Sequence, residues 1–467
     1  MSTDTSTDTT AQSATDAEPV DAVIVGAGFT GLSAALELAL QGRSVRVIER
    51  EEKAGGLAAS FDIGDGKRLE RFYHHWFSSD EEMIRLCERL GISHLLEAHE
   101  TRTGIYYANS VYRLSAPLDV LRFAPLPLRD RIRLGLLALR AQRVKHWREL
   151  ESLTAREWLV SLGGRRVYDV VWRPLLEGKF GKHADQVGAT WMWTKLHLRG
   201  GSRTRSGKET LYYIKGGSEA LLSALQQRLE SLGVDIRTGM PVEAVHTDGA
   251  SVSGVTAAGV FHPAPQVLIT TAPRLAAGLL DGADHPAIPE LQRRWSAVDY
   301  LGNVCLVLEN NRRLSDTYWL NVNDPGFPYV GVIEHTNLDR PERYDGNHVV
   351  YLSKYLPTDA ELYRMSDEEV FEYSLPHIRR MFPGFERSWV QRYHVWRAEH
   401  AQPVITPHYT RTMPEVESRV QGLYLAGMAQ VFPEDRGTNY AVRDGRRAGR
   451  LIADRLSAAA SARSSRV

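Results

Sequence analysis

Two adjacent histidines, His74 and His75, lie among aromatic side chains in residues 71–77. An imidazole titrates near neutral pH, so either histidine could act as a general base. The segment follows a predicted strand over residues 60–63, and neighbouring residues on a strand point to opposite sides. We therefore expect one of the two to face an active site, and we favour His75. The alternative is a histidine that is hydrogen-bonded inside an aromatic core.

A second acid–base candidate is the pair Glu334 and His335, which directly follows the apolar run over residues 329–333. Either side chain could accept a proton from a substrate. The same residues could equally form a polar turn that Asn337 caps. The sequence leaves both interpretations open.

A third group combines aromatic and cationic residues. Trp191 and Trp193 precede a loop rich in glycine, serine and arginine that starts near Arg199. An indole face suits a sugar ring, and a guanidinium group suits a phosphate or a carboxylate. We expect Trp191, Trp193 and Arg199 to contact substrate. In the alternative interpretation the tryptophans are core residues and the arginines are solvated.

The element that must position these groups begins with residues 20–25, a short apolar run that predicts a buried strand. A glycine turn follows, and then an apolar pattern with helical spacing. The first glycine permits a tight turn, the second lets the backbone approach a pyrophosphate, and the third lets helix and strand pack closely. The helix start adds unpaired N–H groups for phosphates. The predicted dinucleotide-binding residues of this turn are Gly26, Gly28, Phe29, Thr30 and Gly31.

The second predicted strand, residues 44–48, ends at Glu49, where a carboxylate can accept hydrogen bonds from ribose hydroxyls. Two adjacent glycines follow at a short interval. This spacing resembles the extended fingerprint of the glutathione-reductase-like flavoproteins, which implies FAD as the cofactor. The resemblance places Arg50, Gly56 and Leu57 near the diphosphate. A flexible hairpin after the strand is the alternative.

Two late segments are predicted to return to the cofactor. Residues 422–427 predict a strand, and a helix is predicted to open at residue 437 and to run to residue 456. In a flavoprotein such a helix start would direct its positive end to the flavin N1/O2 edge, where negative charge accumulates on reduction. A plain amphipathic helix is the alternative. The residues expected to contact FAD here are Gly427, Gly437, Thr438, Asn439 and Tyr440.

From residue 20 onward, the chain resembles the amine-oxidase and protoporphyrinogen-oxidase-like FAD-dependent oxidoreductases. This superfamily includes phytoene desaturases and, more distantly, UDP-galactopyranose mutase. The strings ERFYHHWF, KFGKH, IEHTN and FPEDRGTNYAV carry a closer resemblance to a bacterial subgroup often found with polysaccharide or natural-product genes. The resemblance implies an α/β fold with a Rossmann-like, glutathione-reductase-like FAD-binding domain and a discontinuous α+β substrate domain.

The resemblance also implies that residues 71–77 pass the flavin ring and that the backbone at Val242 clasps the adenine. The chain departs from many superfamily members at Met428, where they have an acid that binds the ribityl chain. Glu434 or Asp435 could replace that acid. The sequence also offers no clear lysine where amine oxidases of the superfamily often hold one near the flavin.

The predicted domain organisation is discontinuous, with the active site between the domains. Both ends of the chain are poor in large apolar side chains, so they are not expected to pack. The predicted segments are a disordered tail (1–19), the FAD-binding domain (20–100, 210–295 and 416–456), a helical part of the substrate domain (101–209), a sheet part of the substrate domain (296–415) and a frayed tail (457–467).

Charge is balanced, with 57 Lys and Arg against 57 Asp and Glu, which gives no reason to expect nucleic acid as a partner. Cys87 and Cys305, in a chain without a recognisable secretory leader, indicate reduced thiols in a cytoplasmic protein. No apolar run reaches the roughly 20 residues of a membrane helix. Residues 129–148 hold seven Lys or Arg against one acid on an amphipathic pattern, which suits either peripheral membrane contact or a solvated face. No metal-ligand spacing appears, and the oligomeric state stays open.

These patterns predict an FAD-dependent oxidase or dehydrogenase that removes a hydride from a small-molecule or sugar-containing substrate, in polysaccharide or natural-product biosynthesis. One alternative is a redox-neutral, flavin-dependent mutase or isomerase that acts on a nucleotide sugar. Another is a flavin-bound partner protein without turnover.

Overall fold

The elements predicted around the glycine turn form in the computed structural model, which describes residues 17–114, 117–201, 209–324 and 326–464. In chain order the strands are β1 (Ala22–Val25), β2 (Val45–Ile48), β3 (Ser60–Gly64), β4 (Lys67–Glu70), β5 (Trp76–Phe77), β6 (Leu96–Thr101), β7 (Thr103–Tyr107), β8 (Ser110–Arg113), β9 (Glu209–Ile214), β10 (Asp235–Arg237), β11 (Val242–Thr247), β12 (Val252–Ala257), β13 (Val260–Pro263), β14 (Val267–Ile269), β15 (Tyr300–Asn310), β16 (Trp319–Val322), β17 (Gly331–Glu334), β18 (His348–Leu356), β19 (Val390–Pro403) and β20 (Leu423–Leu425).

Helices connect and cover these strands. In chain order the α-helices are α1 (Phe29–Ala39), α2 (Glu81–Arg89), α3 (Pro117–Arg122), α4 (Leu128–Arg143), α5 (Ala155–Gly163), α6 (Arg165–Val167), α7 (Arg173–Phe180), α8 (Ala189–Gly201), α9 (Gly217–Ser231), α10 (Pro273–Gly278), α11 (Ile288–Ser296), α12 (Glu361–Arg364), α13 (Asp367–Met381) and α14 (Thr438–Ser464).

A parallel sheet with the strand order β10-β2-β1-β14-β20 carries the glycine turn at the end of β1. Val23 of β1 pairs with Arg46 on one side and Val267 on the other. All four side chains of β1 are buried, as expected for a strand covered on both faces. Helices α1, α9 and α14 pack on one face, and the β11–β13 meander with α11 packs on the other. The predicted α/β, Rossmann-like fold is confirmed.

A second, seven-stranded sheet has the order β19-β15-β18-β17-β16-β7-β8. Its strands are antiparallel except for the parallel pair β16 and β7. One face packs on α13 through Phe371 and Ile378. The other face contributes Tyr351 to a core shared with Phe61 of β3 and Tyr213 of β9. This second face therefore looks toward the segment that contains the adjacent histidines.

Helices α4, α5, α7 and α8 pack around a third core that includes Trp158, Tyr168 and Trp191. The range 101–209, predicted to be helical, also supplies β7 and β8 to the seven-stranded sheet. The sequence of β7, TGIYY, is rich in the β-branched and aromatic residues that favour strands. The helical prediction therefore describes this range only from α3 onward.

The chain ends are more ordered than the composition predicts where they are described. The Ala17 N–H donates to the Phe261 carbonyl at 2.9 Å, and Arg46 donates to the Glu18 carbonyl at 3.0 Å. Residues 1–16 of the predicted tail lie outside the described residues. Helix α14 continues through residues 457–464, where the sequence predicts fraying, because their alanines and arginine favour helix.

In the described ranges, none of the helices combines the length and apolarity needed to cross a bilayer. Cys87 and Cys305 are free thiols in the protein core. Burial raises the pKa of Cys87 to about 11 and also raises the pKa of Cys305. Both side chains therefore act as small apolar core residues.

Candidate active site

The glycine turn between β1 and α1 leaves an open space beside its backbone. Gly26 has φ +105°, and a Cβ there would lie 2.5 Å from the Thr270 hydroxyl. A Cβ on Gly31 would overlap the Gly26 carbonyl oxygen, so α1 can pack on the turn only with glycine. A Cβ on Gly28 would meet nothing within 4 Å. The turn is tight at both ends and open in the middle, which suits a pyrophosphate.

Phe29 and Thr30 begin α1 with buried side chains. The Leu32 N–H donates to the Gly28 carbonyl, and the N–H groups before it have no partner within the helix. No acidic side chain lies in this first turn. The helix start therefore offers backbone donors and a positive dipole end to an anion.

Glu49 ends β2 with its carboxylate fixed across the glycine turn. Its Oε2 accepts a hydrogen bond from the Ala27 N–H at 2.7 Å, and its Oε1 accepts one from the Glu51 N–H at 3.0 Å. Both oxygens keep a lone pair for a ribose hydroxyl. The Met240 N–H donates to the Glu49 carbonyl at 2.8 Å, so the chain that leads to Val242 on β11 passes the same acid.

The predicted glycine pair borders the same open space. The Gly55 N–H donates to the Ala27 carbonyl at 2.9 Å, so this loop crosses the first glycine turn. A Cβ on Gly56 would lie 3.5 Å from the Gly28 Cα. Leu57 is half-buried and packs against the core of the helical part. Two separate loops thus keep glycine where a diphosphate would pass.

Arg50, also predicted to lie near the diphosphate, is on the surface. Its side chain is 65% exposed, and its Nε is 3.2 Å from Glu51 Oε1. An exposed ion pair of this kind is worth at most about 1 kcal/mol, so the arginine can reorient at little cost. Its contact with the cofactor stays a prediction.

Side chains at the start of α14 bond to the protein itself. Thr438 Oγ1 accepts a hydrogen bond from Trp76 Nε1 at 2.7 Å. Asn439 Oδ1 accepts from the N–H groups of Glu82 and Met83 at 2.9 and 3.2 Å, which caps α2. Because these side chains are occupied, contact with a cofactor would come from the backbone N–H groups of the first turn.

Gly427 and Gly437 also leave space beside the backbone. A Cβ on Gly427 would lie 3.6 Å from the Thr271 carbonyl oxygen, and one on Gly437 would lie 3.7 Å from the Tyr440 ring. Both are ordinary van der Waals distances, so the packing of the protein does not itself require glycine at either position. A ligand beside the backbone would give a reason for both.

Glu434 and Asp435, the possible replacements for the ribityl-binding acid, have different partners. Arg443 donates to Glu434 Oε1 at 2.8 Å, and its guanidinium lies 4.9 Å from the centre of the Tyr440 ring. Glu434 Oε2 is buried and has no partner among the described residues. Asp435 accepts from Trp191 Nε1 at 2.9 Å and so belongs to the helical part. Glu434 is therefore the acid with an oxygen left for a cofactor hydroxyl.

His75 lies in the loop before β5, inside a group of aromatic side chains. Its Nδ1 is 2.8 Å from the Tyr318 hydroxyl. Its ring contacts those of Tyr318 and Trp319 edge to face, with centroids 5.6 Å apart in both pairs. The next residue, Trp76, bonds to Thr438. The favoured histidine thus lies beside the helix that is predicted to meet the flavin.

His74 has other partners. Its Nδ1 is 2.7 Å from the Phe72 carbonyl oxygen. Burial lowers the pKa of His74, the Glu70 carboxylate opposes this shift, and Arg436 adds to it. Both histidines precede β5 instead of lying on it, so the strand alternation used to separate them does not apply. Their different hydrogen-bond partners separate them instead.

A wall of polar and aromatic residues continues from His75. The Tyr73 ring lies edge-on to Trp319, with centroids 5.1 Å apart. Burial and the neighbouring Tyr355 hydroxyl raise the pKa of Tyr73. Arg436 donates to the Tyr355 hydroxyl, and its guanidinium lies 5.4 Å from the Tyr355 ring. The wall therefore extends from a histidine to an arginine, which directly precedes Gly437.

At the arginine end, Asp435 is surrounded by cations. Lys179 Nζ is 3.3 Å from Asp435 Oδ2, and Lys195 pairs with the same oxygen. The two lysine ammonium groups lie 4.8 and 5.4 Å from the centre of the Trp191 ring. Burial alone would raise the pKa of Asp435, but Lys179, Lys195 and Arg436 hold it well below its usual range. The predicted juxtaposition of aromatic and cationic groups therefore occurs at Trp191.

Trp193 is on the same helix but contacts another part of the protein. Its indole N–H donates to the Val144 carbonyl at 3.0 Å, and its ring stacks on His197 with centroids 4.8 Å apart. These contacts favour the core interpretation for Trp193. The side chain of Arg199 and all of residues 202–208 lie outside the described residues.

Glu334 and His335 belong to buried hydrogen-bond networks of the sheet part. Glu334 accepts from the N–H groups of Leu314 and Ser315 at 2.8 and 2.7 Å, and burial raises the pKa of Glu334 to about 7. His335 Nε2 is 2.8 Å from the Tyr344 hydroxyl, and burial lowers the pKa of His335. These bonds favour the polar-turn interpretation.

Sequence reasoning did not single out Lys179, Tyr318, Tyr355 or Arg436. Each comes from a different element, and only the fold brings them together. Lys179 and Arg436 do lie within the strings KFGKH and FPEDRGTNYAV. Their position as charged residues inside strings that resemble those of related proteins is the signal that could have found Lys179 and Arg436.

The residues around both glycine loops fit FAD. The open space beside Gly28, the acid at Glu49 and the start of α1 suit the adenosine diphosphate half. The start of α14, the free oxygen of Glu434 and the nearby aromatic wall suit the ribityl and flavin half. The chain thus supplies a partner for each part of that cofactor.

Comparison with known proteins shows similarity over most of the length of this chain. The sequence model of the family described as flavin containing amine oxidoreductase matches residues 29–453. Among curated proteins, 15-cis-phytoene desaturase of Synechococcus elongatus is 23% identical over 433 residues, which cover 86% of this chain and 90% of that protein.

Solved structures share the fold. A protein from Exiguobacterium sp. 255-15, provisionally called a protoporphyrinogen oxidase, aligns with a TM-score of 0.73 and 20% identity over 92% of this chain and 98% of that one. Reduced UDP-galactopyranose mutase aligns with a TM-score of 0.72 and 16% identity, over 92% of this chain and 94% of that one. The predicted resemblance and the FAD cofactor are confirmed. Because the family match spans most of the chain, this protein is an FAD-dependent oxidoreductase of the flavin containing amine oxidoreductase family.

Proposed function

We propose that this protein is an oxidase or dehydrogenase that removes a hydride from a small-molecule or sugar-containing substrate. The observation that carries the proposal is the pair of His75 and Tyr318 at 2.8 Å, in an aromatic wall beside the start of α14. A hydride leaves a carbon more readily when a neighbouring O–H or N–H proton is removed, and a positioned imidazole can take that proton.

The pairing with Tyr318 determines which nitrogen of His75 can act. If the Nδ1–H donates to the Tyr318 oxygen, Nε2 carries the lone pair that can accept a proton from substrate. If the tyrosine donates instead, Nε2 carries the hydrogen and is not a base. We propose the first arrangement, in which Tyr318 fixes the ring and His75 accepts the proton at Nε2.

Bound FAD supplies the acceptor for the hydride. The protein supplies orientation and exclusion of water, and the rings of Tyr73, Trp319 and His75 form one wall for that purpose. The same wall ends at Arg436 and Lys179, close to Trp191. We propose that substrate lies along it, with Trp191 as one contact, whereas Trp193 and Arg199 stay predictions.

Anaerobic flavin bleaching tests this function. The FAD-loaded protein is mixed with alcohols, amines, sugar derivatives and unsaturated lipid precursors, and the visible flavin absorbance is followed without oxygen. Bleaching by one chemical class, at a rate that saturates with concentration, is the expected result. If no class bleaches the flavin, although dithionite does so normally, the oxidase and dehydrogenase proposal is wrong.

A second candidate is a redox-neutral mutase on a nucleotide sugar, which the structural likeness to reduced UDP-galactopyranose mutase favours. This candidate predicts turnover only after dithionite reduction and no net change in flavin oxidation state. Product analysis of the reduced protein with nucleotide sugars decides between the two. The non-catalytic alternative has no support, because the family is one of oxidoreductases.

We also infer that one face of the helical part contacts a membrane surface. Seven of the ten exposed large apolar side chains in the described part of the chain lie within residues 111–139. Residues 129–148 add seven Lys or Arg against one acid. Apolar side chains flanked by cations suit an anionic lipid surface. The exposed side chains are Val111, Leu118, Leu121, Leu128, Ile132, Leu136 and Leu139.

A further inference from the structure

The cations around Asp435 exceed the negative charge that the protein provides. Lys179 and Lys195 both pair with this one carboxylate, and Arg436 adds a third positive charge. In the described ranges no other acidic side chain forms an ion pair with Lys179, Lys195 or Arg436. Three cations therefore share one anion.

This excess charge is largely removed from water. The side chains of Lys179 and Asp435 are 12% and 10% exposed, and that of Lys195 is 36% exposed. Asp435 is fully engaged, since Trp191 also donates to it. Arg436 is held by two neutral partners, the Gln402 amide oxygen at 3.1 Å and the Tyr355 hydroxyl. Buried charge without a counter-ion is costly, so a second anion would stabilise this group.

The group is also continuous with the candidate active site. Arg436 lies two residues before the start of α14, where Thr438 bonds to Trp76, the residue after His75. Lys179 Nζ lies 5.3 Å from the centre of the Tyr355 ring, at the same wall that leads to His75. A ligand on the wall would thus meet the histidine at one end and the cations at the other.

We infer that Lys179, Lys195 and Arg436 form a subsite that binds an anionic group of the substrate, a carboxylate or a phosphate. The inference deepens the proposed function and rests on it for the identity of the ligand as substrate. Two ammonium groups and a guanidinium offer several charge-assisted donors to one oxyanion. Trp191 gives the subsite an apolar floor.

The charge balance of the subsite links binding to pH. Burial lowers the pKa of Lys179 to about 7. The Asp435 carboxylate, in the loop before α14, opposes this shift, whereas the positive charges of Lys195 on α8 and of Arg436 add to it. A bound anion would raise this pKa again. Above neutral pH, binding must therefore take up a proton, and affinity should fall by about tenfold per pH unit.

The experiment uses the FAD-loaded protein and two probes, inorganic phosphate and acetate, measured by isothermal titration calorimetry. Titrations at roughly pH 6 to 9, in two buffers of different ionisation enthalpy, give affinity and proton uptake. Lys179→Met and Lys195→Met remove one cation each. Lys354→Met is the matched control, because Lys354 is also partly buried but stands next to Tyr355 on β18 and so points to the other face of the sheet.

Saturable binding of either probe, weakened at least about tenfold in both variants but not in the control, is the expected result. The stronger probe identifies the anion class. Equal binding in wild type and variants, or no binding at the lowest pH, overturns the inference. The wild-type pH series decides the question even if a variant fails to fold. If a neutral substrate bleaches the flavin while neither probe binds, only the subsite is wrong; if the probes bind but nothing bleaches the flavin, only the proposed function is wrong.

Discussion

The two adjacent histidines have side chains held by very different partners. His75 shares a hydrogen bond with a phenol that is fully buried, whereas His74 is bound to a backbone carbonyl of its own loop. A carbonyl only accepts, so Nδ1 of His74 must carry a hydrogen. A phenol can donate or accept, so the hydrogen bond of His75 is compatible with either tautomer of its ring. This difference makes His75 the better candidate base.

Replacement of His75 by asparagine tests this assignment. We expect His75→Asn to slow flavin reduction by about 100-fold to 10,000-fold, the usual contribution of a general base, with FAD content unchanged. His74→Asn is the control, and its rate should stay within about tenfold of wild type. Stopped-flow absorbance under anaerobic conditions measures both rates. A larger loss in His74→Asn would move the role to that residue.

Two glycines of the first turn should respond differently to alanine. A Cβ on Gly31 overlaps the Gly26 carbonyl, so Gly31→Ala should destabilise the protein by about 1 to 3 kcal/mol with or without FAD. A Cβ on Gly28 meets no protein atom, so Gly28→Ala should leave the apoprotein stable and weaken FAD binding. Thermal melts with and without FAD separate the two effects. Equal losses of apoprotein stability would contradict the open space at Gly28.

The strand, turn and helix around the first glycines could be predicted because the signal is local: all three lie within a few residues of one another. Sequence reasoning was less successful with Trp191 and Trp193, which are equivalent in sequence but contact Asp435 and Val144. For Glu334 and His335 the sequence left two interpretations open because composition does not reveal their buried hydrogen-bond partners. Asp435 was considered only for the ribityl chain, since its lysine partner Lys179 is far away in sequence.

At the scale of elements, α14 joins several parts of the site. In its first turn, Thr438 accepts a hydrogen bond from Trp76, the residue after His75, and Asn439 caps α2. Further along, its glycines lie against the backbone of α1: a Cβ on Gly449 would be 2.7 Å from the Ala34 carbonyl oxygen, and one on Gly445 would overlap that of Thr30. The position of this helix therefore affects both halves of the cofactor site.

The close contact between α14 and α1 can be tested at Gly445. Gly445→Ala must push α14 away from α1, and we expect a loss of about 1 to 3 kcal/mol in the free energy of unfolding together with weaker FAD binding. Gly135→Ala is the matched control, because Gly135 also lies in a helix and a Cβ there would meet nothing within 4 Å. The control should be neutral or stabilised by up to about 1 kcal/mol. Urea unfolding gives both values, and similar behaviour of the two variants would contradict the close approach.

The end of β17 should make stability depend on pH. Burial raises the pKa of Glu334 from 4.5 to about 7, so the folded protein holds a proton that the unfolded chain has lost. This contribution is fully present below about 4.5 and is lost as pH rises through about 7. Wild type should lose up to about 3 kcal/mol across this window relative to Glu334→Gln. Urea unfolding of wild type and Glu334→Gln near pH 5 and pH 8 measures this difference in the free energy of unfolding. If the free energies of the two proteins change in parallel with pH, the prediction is wrong.

Whether a helix or strand could be predicted depends on how local its sequence pattern is. Strands β1, β14 and β20 were found because each is a short apolar run next to a glycine or a helix pattern. Strands β7 and β8 were missed, since β7 pairs with β16, which lies far along the chain, and β8 pairs with β7. The helix that ends at Ser464 is longer than predicted, because alanine and serine suit a helix as well as a frayed end.

For the whole molecule, most of the exposed large apolar side chains in the described part of the chain lie within residues 111–139. Helices α3 and α4 carry six of the seven exposed apolar side chains of residues 111–139, and arginines accompany them. The same helical part contributes Trp191, Lys179 and Lys195 to the candidate site. A protein docked through this face would therefore rest on the same helical part that supplies the proposed anion subsite.

Vesicle binding tests this orientation. The protein should sediment with anionic vesicles, and less of it should do so at high salt. The double variant Ile132→Glu, Leu139→Glu should bind about tenfold more weakly or worse, because burying each leucine-sized side chain contributes about 1.5 to 3 kcal/mol. Leu275→Glu, at an exposed apolar position on α10, is the control. Binding that survives the double variant would contradict a role for this face.

The position of α14 in the chain also constrains when the protein can become active. Trp76 and its partner Thr438 are separated by 362 residues, and the helix that begins there packs on α1. A ribosome therefore releases the glycine turn long before it releases this helix. During synthesis the dinucleotide turn is therefore complete in sequence but lacks the helix that covers it. We expect cofactor loading to follow the release of α14, because the apolar surface of α1 that this helix covers is exposed until then.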